Sequence, residues 1–295
     1  MFCPGDSCAG SYFPPFPIGI AGSVSGFLSG TTVVCGGAQT TYKGCTEKNT
    51  AQYCSRNAEC VQTAGGTLWC TGPKTSACYI YDRYLTKDWK LSPKSLVTAR
   101  AYAASVSLPS GRMWILGGAD QTSILKTTEF VDISNNAITR VSSGPDMEEP
   151  LLGHCAALVT SSQAVVLGGF SSMLNDHTPQ VRVYDFNTQT WDKKSWMSAG
   201  PRIDSSCLNV EINGLRQVLL TGGWNNQLLA DTAVFSTTEY RWLFFNESNP
   251  NPIRSSVLIE RNQKPYLLGG VVCSSEGKSC KQTSKGKKVH STSQM

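Results

Sequence analysis

A pair of adjacent glycines closes each of five short apolar runs, and this repeat constrains the fold more than any other feature of the chain. The first two pairs are 81 residues apart, and the later ones follow at 51, 54 and 47 residues. Glycine is needed where backbones approach too closely for a side chain or where φ is positive. A recurrence near 50 residues therefore predicts an array of similar units. The pairs are Gly36 and Gly37, Gly117 and Gly118, Gly168 and Gly169, Gly222 and Gly223, and Gly269 and Gly270.

A second landmark follows each of the first four glycine pairs. It is an aromatic or apolar residue with another such residue seven or eight positions later. The intervening residues are mostly polar and turn-like, which predicts a short hairpin. We expect the aromatic members to pack between neighbouring units. The landmark consists of Tyr81 with Trp89, Val131 with Ile138, Tyr184 with Trp191, and Phe235 with Trp242.

A basic residue or histidine lies 14 to 20 residues before each of the last four glycine pairs and opens a stretch of small residues. Each period then has room for four short strands, and no sustained 3.6-residue periodicity appears. The predicted fold class is all-β, because four strands in about 50 residues make one blade of a β-propeller. These third landmarks are Arg100, His154, Arg202 and Arg254.

The combination of apolar run, glycine pair, Tyr-Asp and Trp resembles the kelch repeat over residues 16–37 and 77–270. The resemblance implies a kelch-type β-propeller, usually a ring of six or seven blades used mainly as a binding scaffold. The chain supplies four full four-stranded units and a partial fifth, since no Tyr and Trp follow the last glycine pair. We therefore expect an incomplete ring; a five-bladed ring, or closure by N-terminal residues, is the alternative.

The repeat also sets the predicted domain organisation. A cysteine-containing segment occupies residues 1–15, the propeller residues 16–275, and a disordered basic tail residues 276–295. The long first gap is filled by a cysteine-rich insertion at 38–76. From Cys54 to Cys70 this insertion resembles the middle of an EGF-like module, without that family's C-x-C. The alternative is a loop held by disulfides, because so short a segment cannot build a core.

The formal net charge of +5 comes from the tail. Five lysines and no acidic residue follow Gly277, which leaves 26 − 5 = 21 basic against 21 acidic residues elsewhere. A neutral body argues against nucleic acid as a partner. No apolar run approaches the roughly 18 residues of a membrane span.

Twelve cysteines without a C-x-x-C motif predict disulfides formed in an oxidising compartment rather than a zinc site. The sequon at Asn246 agrees with a secreted protein of the cysteine-rich kelch type. Cys155 and Cys207 occupy similar positions in consecutive units and could form a bridge, but we expect them to be buried free thiols. The disulfide candidates, with their pairing left open, are Cys3, Cys8, Cys35, Cys45, Cys54, Cys60, Cys70, Cys78, Cys273 and Cys280.

No catalytic motif is apparent, and the chain contains only three histidines. We expect His154 to be packed and hydrogen-bonded on an inner strand, and His177, beside Asp176, to lie in a solvated loop rather than bind metal. The sequence thus predicts no catalytic residue, metal or cofactor, and a non-enzymatic extracellular scaffold. Its partner would be a protein or glycan, bound through rim loops and the insertion; the oligomeric state is left open. Kelch relatives suggest two alternatives: an intracellular adaptor for actin or a ubiquitin ligase, or an oxidase- or isomerase-like enzyme with a channel site.

Overall fold

The computed structural model describes residues 16–18, 20–28, 30–39, 59–62, 68–71, 73–82, 86–197, 199–212, 214–244, 252–261, 264–273, 280–282 and 287–288. All regular secondary structure in these ranges is β-strand, so the all-β prediction is confirmed. Within the same ranges, no helix has the length and apolar character that crossing a membrane requires.

The first sheet has the strand order β2-β3-β7-β8, and β1 pairs with β4 beside it. β5 and β6 form a hairpin within the cysteine-rich insertion. All pairings are antiparallel. The strands are β1 (Ile20–Ala21), β2 (Val24–Leu28), β3 (Thr31–Cys35), β4 (Ala38–Gln39), β5 (Glu59–Gln62), β6 (Leu68–Thr71), β7 (Cys78–Asp82) and β8 (Asp88–Leu91).

The second, third and fourth sheets are antiparallel meanders of four strands, in the orders β9-β10-β11-β12, β14-β15-β18-β19 and β20-β21-β22-β23. The strands from the second sheet to the third are β9 (Ala104–Leu108), β10 (Arg112–Leu116), β11 (Thr128–Ser134), β12 (Ala137–Ser143), β13 (Leu151–Leu152), β14 (Cys155–Thr160), β15 (Gln163–Leu167), β16 (Phe170–Ser171), β17 (Asp176–His177), β18 (Gln180–Asp185) and β19 (Thr190–Trp196). Those of the fourth are β20 (Ser206–Ile212), β21 (Leu215–Thr221), β22 (Thr232–Ser236) and β23 (Arg241–Phe244).

A fifth sheet is partial, with the order β24-β25-β28, and β26 and β27 form a separate hairpin. Residues 280–282 and 287–288 are thus strands within the segment predicted to be a disordered tail. They pair because the edges of β26 and β25 offer unpaired backbone groups. The strands are β24 (Val257–Arg261), β25 (Lys264–Leu268), β26 (Val271–Cys273), β27 (Cys280–Gln282) and β28 (Lys287–Lys288).

The chain divides into two compact units. The N-terminal unit comprises Phe13–Leu152 and Ser171–Asp176, and so holds the first two sheets. The C-terminal unit includes Gly153–Phe170 and His177–Met295, and so holds the third, fourth and fifth sheets.

Apolar side chains fill the space between neighbouring sheets of the same unit. In the N-terminal unit, one buried cluster joins Val24 and Val33 of the first sheet to Met113 and Val131 of the second. In the C-terminal unit, an equivalent cluster joins the third sheet to the fourth. The two middle strands of a sheet are the most deeply buried, as in β10 and β22, because each has strands at both edges.

The aromatic landmarks are cross-strand pairs on the last two strands of a sheet. The ring centroids of Tyr81 and Trp89, Tyr184 and Trp191, and Phe235 and Trp242 lie 5.4, 4.9 and 5.3 Å apart, and each pair is in direct register. Phe235 and Trp242 belong to the apolar cluster between the third and fourth sheets, as expected. In the second sheet, Ile138 pairs with Ile133, and Val131 pairs with Val141, because this hairpin extends further beyond Val131 and carries a bulge after Asp132.

Candidate binding surface

Each glycine pair marks one end of its sheet, here called the glycine end. The first strand of a sheet begins there and the second strand ends there, because the two are antiparallel. The loop after the glycine pair therefore begins at this end of its sheet. In the second, third and fourth sheets this loop is formed by residues 119–127, 170–179 and 224–231.

The second glycine of a pair is hydrogen-bonded to the start of the next sheet. Within the N-terminal unit, Gly37 N donates to the Arg100 carbonyl at 2.7 Å, and Gly118 N donates to that of Leu151 at 2.8 Å. Within the C-terminal unit, Gly169 and Gly223 donate in the same way to Arg202 and Ile253. The close approach explains the glycines: a Cβ on Gly36 (φ +67°) would lie 2.5 Å from the Arg100 carbonyl oxygen.

This register corrects the third landmark of the sequence. Arg100, Leu151, Arg202 and Ile253 are the equivalent residues, because each accepts the hydrogen bond from a second glycine. His154 is three residues beyond its equivalent position, and Arg254 is one beyond. The sequence-based alignment of the four units was wrong at these two positions, because a basic residue lies near each equivalent position.

Arg100 and Arg202 are buried and bind groups of their own sheets. Arg100 Nη1 donates to the carbonyls of Gly117 and Thr127, both at 2.8 Å, and Nη2 donates to Glu129 Oε1 at 2.7 Å. Arg202 donates to the Gly222 carbonyl at 3.1 Å and forms an ion pair of 2.7 Å with Asp231. Burial lowers the pKa of Arg100, and the carboxylate of Glu129 opposes this. Both arginines are therefore structural ties.

Two residues beyond each equivalent position, the backbone has a positive φ. Tyr102 (φ +58°) donates its N–H to the Gly22 carbonyl at 2.7 Å within the N-terminal unit. Within the C-terminal unit, Asp204 N donates to the Gly153 carbonyl and Ser255 N to that of Asp204, both at 2.8 Å. Burial raises the pKa of the Asp204 carboxyl, while Arg254 and Ser255 lower it.

The two histidines outside the tail are both buried. His154 is 6% exposed, directly before β14, which confirms the expected packing. The expected hydrogen bond is wrong, because neither ring nitrogen has a partner among the described residues. His177 is 5% exposed and contacts Phe170 edge to face, so the prediction of a solvated loop is wrong. Among the described residues, no group of three or more His, Cys, Asp or Glu side chains could hold a metal ion.

The loop of Ser171–Asp176 presents the most exposed large apolar side chain of the described residues. At its tip, Met173 is 71% and Leu174 is 59% exposed. Its base is fixed within the N-terminal unit: Ser171 Oγ donates to buried Glu149 and accepts a hydrogen bond from Leu174 N at 3.3 Å. Sequence analysis missed this tip, because no motif distinguishes an exposed Met-Leu pair from a buried one.

Two disulfides are described. Cys35 and Cys78 link β3 to β7 within the first sheet, as two of the predicted candidates. Cys155 and Cys207 link β14 to β20, the first strands of the third and fourth sheets. The prediction of free thiols at Cys155 and Cys207 is wrong, because the two inner strands lie side by side with the Cα atoms 6.0 Å apart.

The remaining disulfide candidates are less fully described. Cys60 and Cys70 are cross-strand partners of β5 and β6, and Cys273 and Cys280 are partners of β26 and β27, in backbone register. The predicted positions outside the described residues are Cys3, Cys8, Cys45, Cys54 and the sequon at Asn246.

Comparison with known proteins agrees with this architecture. The family model of the KLHDC2/KLHL20/DRC7 Kelch-repeats domain matches residues 53–270. The chain belongs to the kelch-repeat family. The solved structure named "Structure of YjhT" is similar in fold to this kelch chain, with a TM-score of 0.65 and 12% sequence identity over 92% of this chain and 82% of that one. None of the curated proteins matches the sequence.

The sheets are accordingly blades of a kelch-type β-propeller, and the predicted fold is confirmed. The glycine pairs and aromatic landmarks of the sequence are the repeat positions of these blades. Kelch domains usually bind other proteins, so a binding role is the expectation that family membership brings.

Proposed function

We propose that this kelch chain is a non-enzymatic scaffold that binds a protein partner through a glycine-end loop. The observation that carries the proposal is the exposed pair Met173 and Leu174 on an anchored loop. A fixed backbone loses little entropy on binding, and adjacent exposed apolar side chains supply the desolvated centre that protein interfaces need. Loops on a rigid scaffold are also where binding residues concentrate.

The proposed setting is extracellular. Two disulfides and the sequon at Asn246 support it, because disulfides persist in oxidising compartments. Its test is a disulfide map, by mass spectrometry, of the protein purified from the medium of eukaryotic cells that secrete it. We expect intact Cys35–Cys78 and Cys155–Cys207 bridges. Recovery of these four residues as free thiols would contradict the proposed setting.

The proposed partner is to be found by photo-crosslinking from the loop tip. A photoreactive amino acid at Asn175 is expected to label one predominant protein on intact cells. The double variant Met173→Ser/Leu174→Ser should then weaken the purified complex at least tenfold.

A matched control changes two apolar residues at the opposite ends of their own blades. Phe27 and Leu215 are 60% and 50% exposed, and Phe27→Ser/Leu215→Ser should leave the affinity within about twofold. An equal loss of affinity for the partner in the two double variants would overturn the assignment of the binding loop.

A further inference from the structure

An open polar cavity of about 420 Å³ lies at the surface of the second blade, at the end opposite its glycine end. It is formed where the turn between β9 and β10 meets the hairpin of β11 and β12. The lining residues are Ser110, Gly111, Arg112, Asp132, Ile133, Ser134, Thr139 and Arg140. Two guanidinium groups and one carboxylate give this cavity a formal charge of +1.

Arg112 is held in place on two sides. Its Nε donates to Asp132 Oδ1 at 2.5 Å, and its Cζ lies 4.1 Å from the centroid of the Phe130 ring. Neither Nη group has a partner among the described residues, so both remain available. An arginine fixed in this way presents a planar pair of donors, which matches the oxygen atoms of an oxyanion.

Arg140 supplies a second charge at the same place. It is the cross-strand partner of Asp132, it is exposed, and it forms no ion pair or hydrogen bond within the described part of the chain. Three hydroxyl side chains, Ser110, Ser134 and Thr139, complete the lining. The only apolar side chain is that of Ile133, which is 4% exposed.

The walls of the cavity are fixed before any ligand arrives. Ile133 N donates to the Gly111 carbonyl at 3.1 Å and joins the turn to the hairpin. Thr139 Oγ1 donates to the Asp132 carbonyl at 3.2 Å. At the hairpin tip, Thr31 Oγ1 of the first blade donates to Asn136 Oδ1 at 2.6 Å. A preformed site of this kind costs little ordering free energy on binding.

The geometry points to a second binding site, which takes a sulfated glycan. The two arginines would bind one sulfate or uronate group, and the hydroxyl side chains would bind sugar hydroxyls. A glycan fits better than an acidic peptide, because the lining residues offer three hydroxyl side chains and only one apolar side chain. The site lies at the opposite end of the blade from the proposed protein-binding end and does not depend on that proposal.

The test is calorimetric titration of the full chain with a heparin-derived hexasaccharide at low and physiological salt. We expect Arg112→Gln/Arg140→Gln to weaken binding at least about tenfold and to reduce its salt dependence. Arg140→Gln alone should weaken it severalfold; it removes no internal contact, so its effect cannot arise from misfolding. A desulfated hexasaccharide should not bind measurably.

The control removes the same charge elsewhere. Arg216 and Arg241 are exposed residues of the fourth blade, and Arg216→Gln/Arg241→Gln should leave the affinity within about twofold. Equal weakening by both double variants would show a general charge effect and overturn the site. Equal competition by a polyglutamate peptide would overturn the glycan assignment.

Discussion

His154 is buried directly before β14, and neither ring nitrogen has a hydrogen-bond partner among the described residues. Burial lowers its pKa from 6.5 to about 4, so the ring is neutral in the folded protein at neutral pH. The unfolded chain binds a proton at this residue first as the pH falls. Stability is therefore complete above pH 6.5 and declines towards pH 4.

We expect His154→Phe to remove about 3 kcal/mol of this pH-dependent loss, from the size of the pKa shift. Urea unfolding of both proteins between pH 7.5 and 4 measures it. The difference between the two curves isolates the histidine, because the other titrating groups are common to both. Parallel curves across this pH range would contradict the assignment.

Met173 differs from the other methionines of the described chain. It is 71% exposed, whereas Met113, Met147 and Met197 are at most 3% exposed. Limited hydrogen peroxide should therefore convert Met173 to the sulfoxide while the other three stay reduced, because oxidation follows exposure. Peptide mapping of the native protein measures this. The urea-unfolded protein serves as control, with all four expected to oxidise at similar rates.

At the scale of the element, the buried pair of Arg100 and Glu129 holds a blade together. Glu129 also accepts hydrogen bonds from Val97 N and Thr98 N at 2.6 and 3.0 Å, so it is the centre of a small network. Arg100→Met should cost about 3–5 kcal/mol in free energy of unfolding, because it leaves a buried carboxylate without its cation.

The matched control for Arg100→Met is Lys126→Met, which breaks an ion pair with Asp146 whose members are 54% and 49% exposed. Its cost should stay below about 1 kcal/mol. Urea unfolding at pH 7 compares the two variants. Similar costs would mean that Arg100 does not act as a buried tie.

The same elements show how far sequence reasoning reaches. Glycine pairs and aromatic pairs predicted the blades, because the backbone approach at the former and the cross-strand packing at the latter restrict the residue type. The series of equivalent positions to which Arg100 belongs was predicted only in part. His154 and Arg254 were assigned to it wrongly, since both are polar residues near the same strand end. The exposed tip of Met173 and the cavity at Arg112 were not predicted, because both depend on how separate turns meet.

At the scale of the whole molecule, the Cys155–Cys207 bridge joins two blades that are consecutive in the sequence. Its cysteines are 52 residues apart, so the bridge restricts a large part of the unfolded chain. Cys155→Ala/Cys207→Ala should lower the free energy of unfolding by about 4 kcal/mol on the chain-entropy estimate. Urea unfolding under non-reducing conditions measures it.

The control is treatment of the parent protein and the double variant with dithiothreitol. Because reduction breaks the Cys155–Cys207 bridge in the parent, the difference in free energy of unfolding that this bridge causes should disappear. If the double variant were as stable as the parent before reduction, the bridge would not form in the folded protein. Sequence analysis favoured free thiols over this bridge, because similar positions in consecutive repeats do not reveal that two strands lie side by side.

The hydrogen bond from each second glycine has a consequence for synthesis. In three of these hydrogen bonds the acceptor carbonyl lies 33, 33 and 30 residues downstream of the donor N–H. The donor and acceptor pairs are Gly118 and Leu151, Gly169 and Arg202, and Gly223 and Ile253. A blade emerging from the ribosome thus lacks its last backbone partner until the next repeat has begun to emerge. We therefore expect the blades of a nascent chain to be completed in order along the sequence, and a chain arrested between repeats to carry one unfinished glycine end.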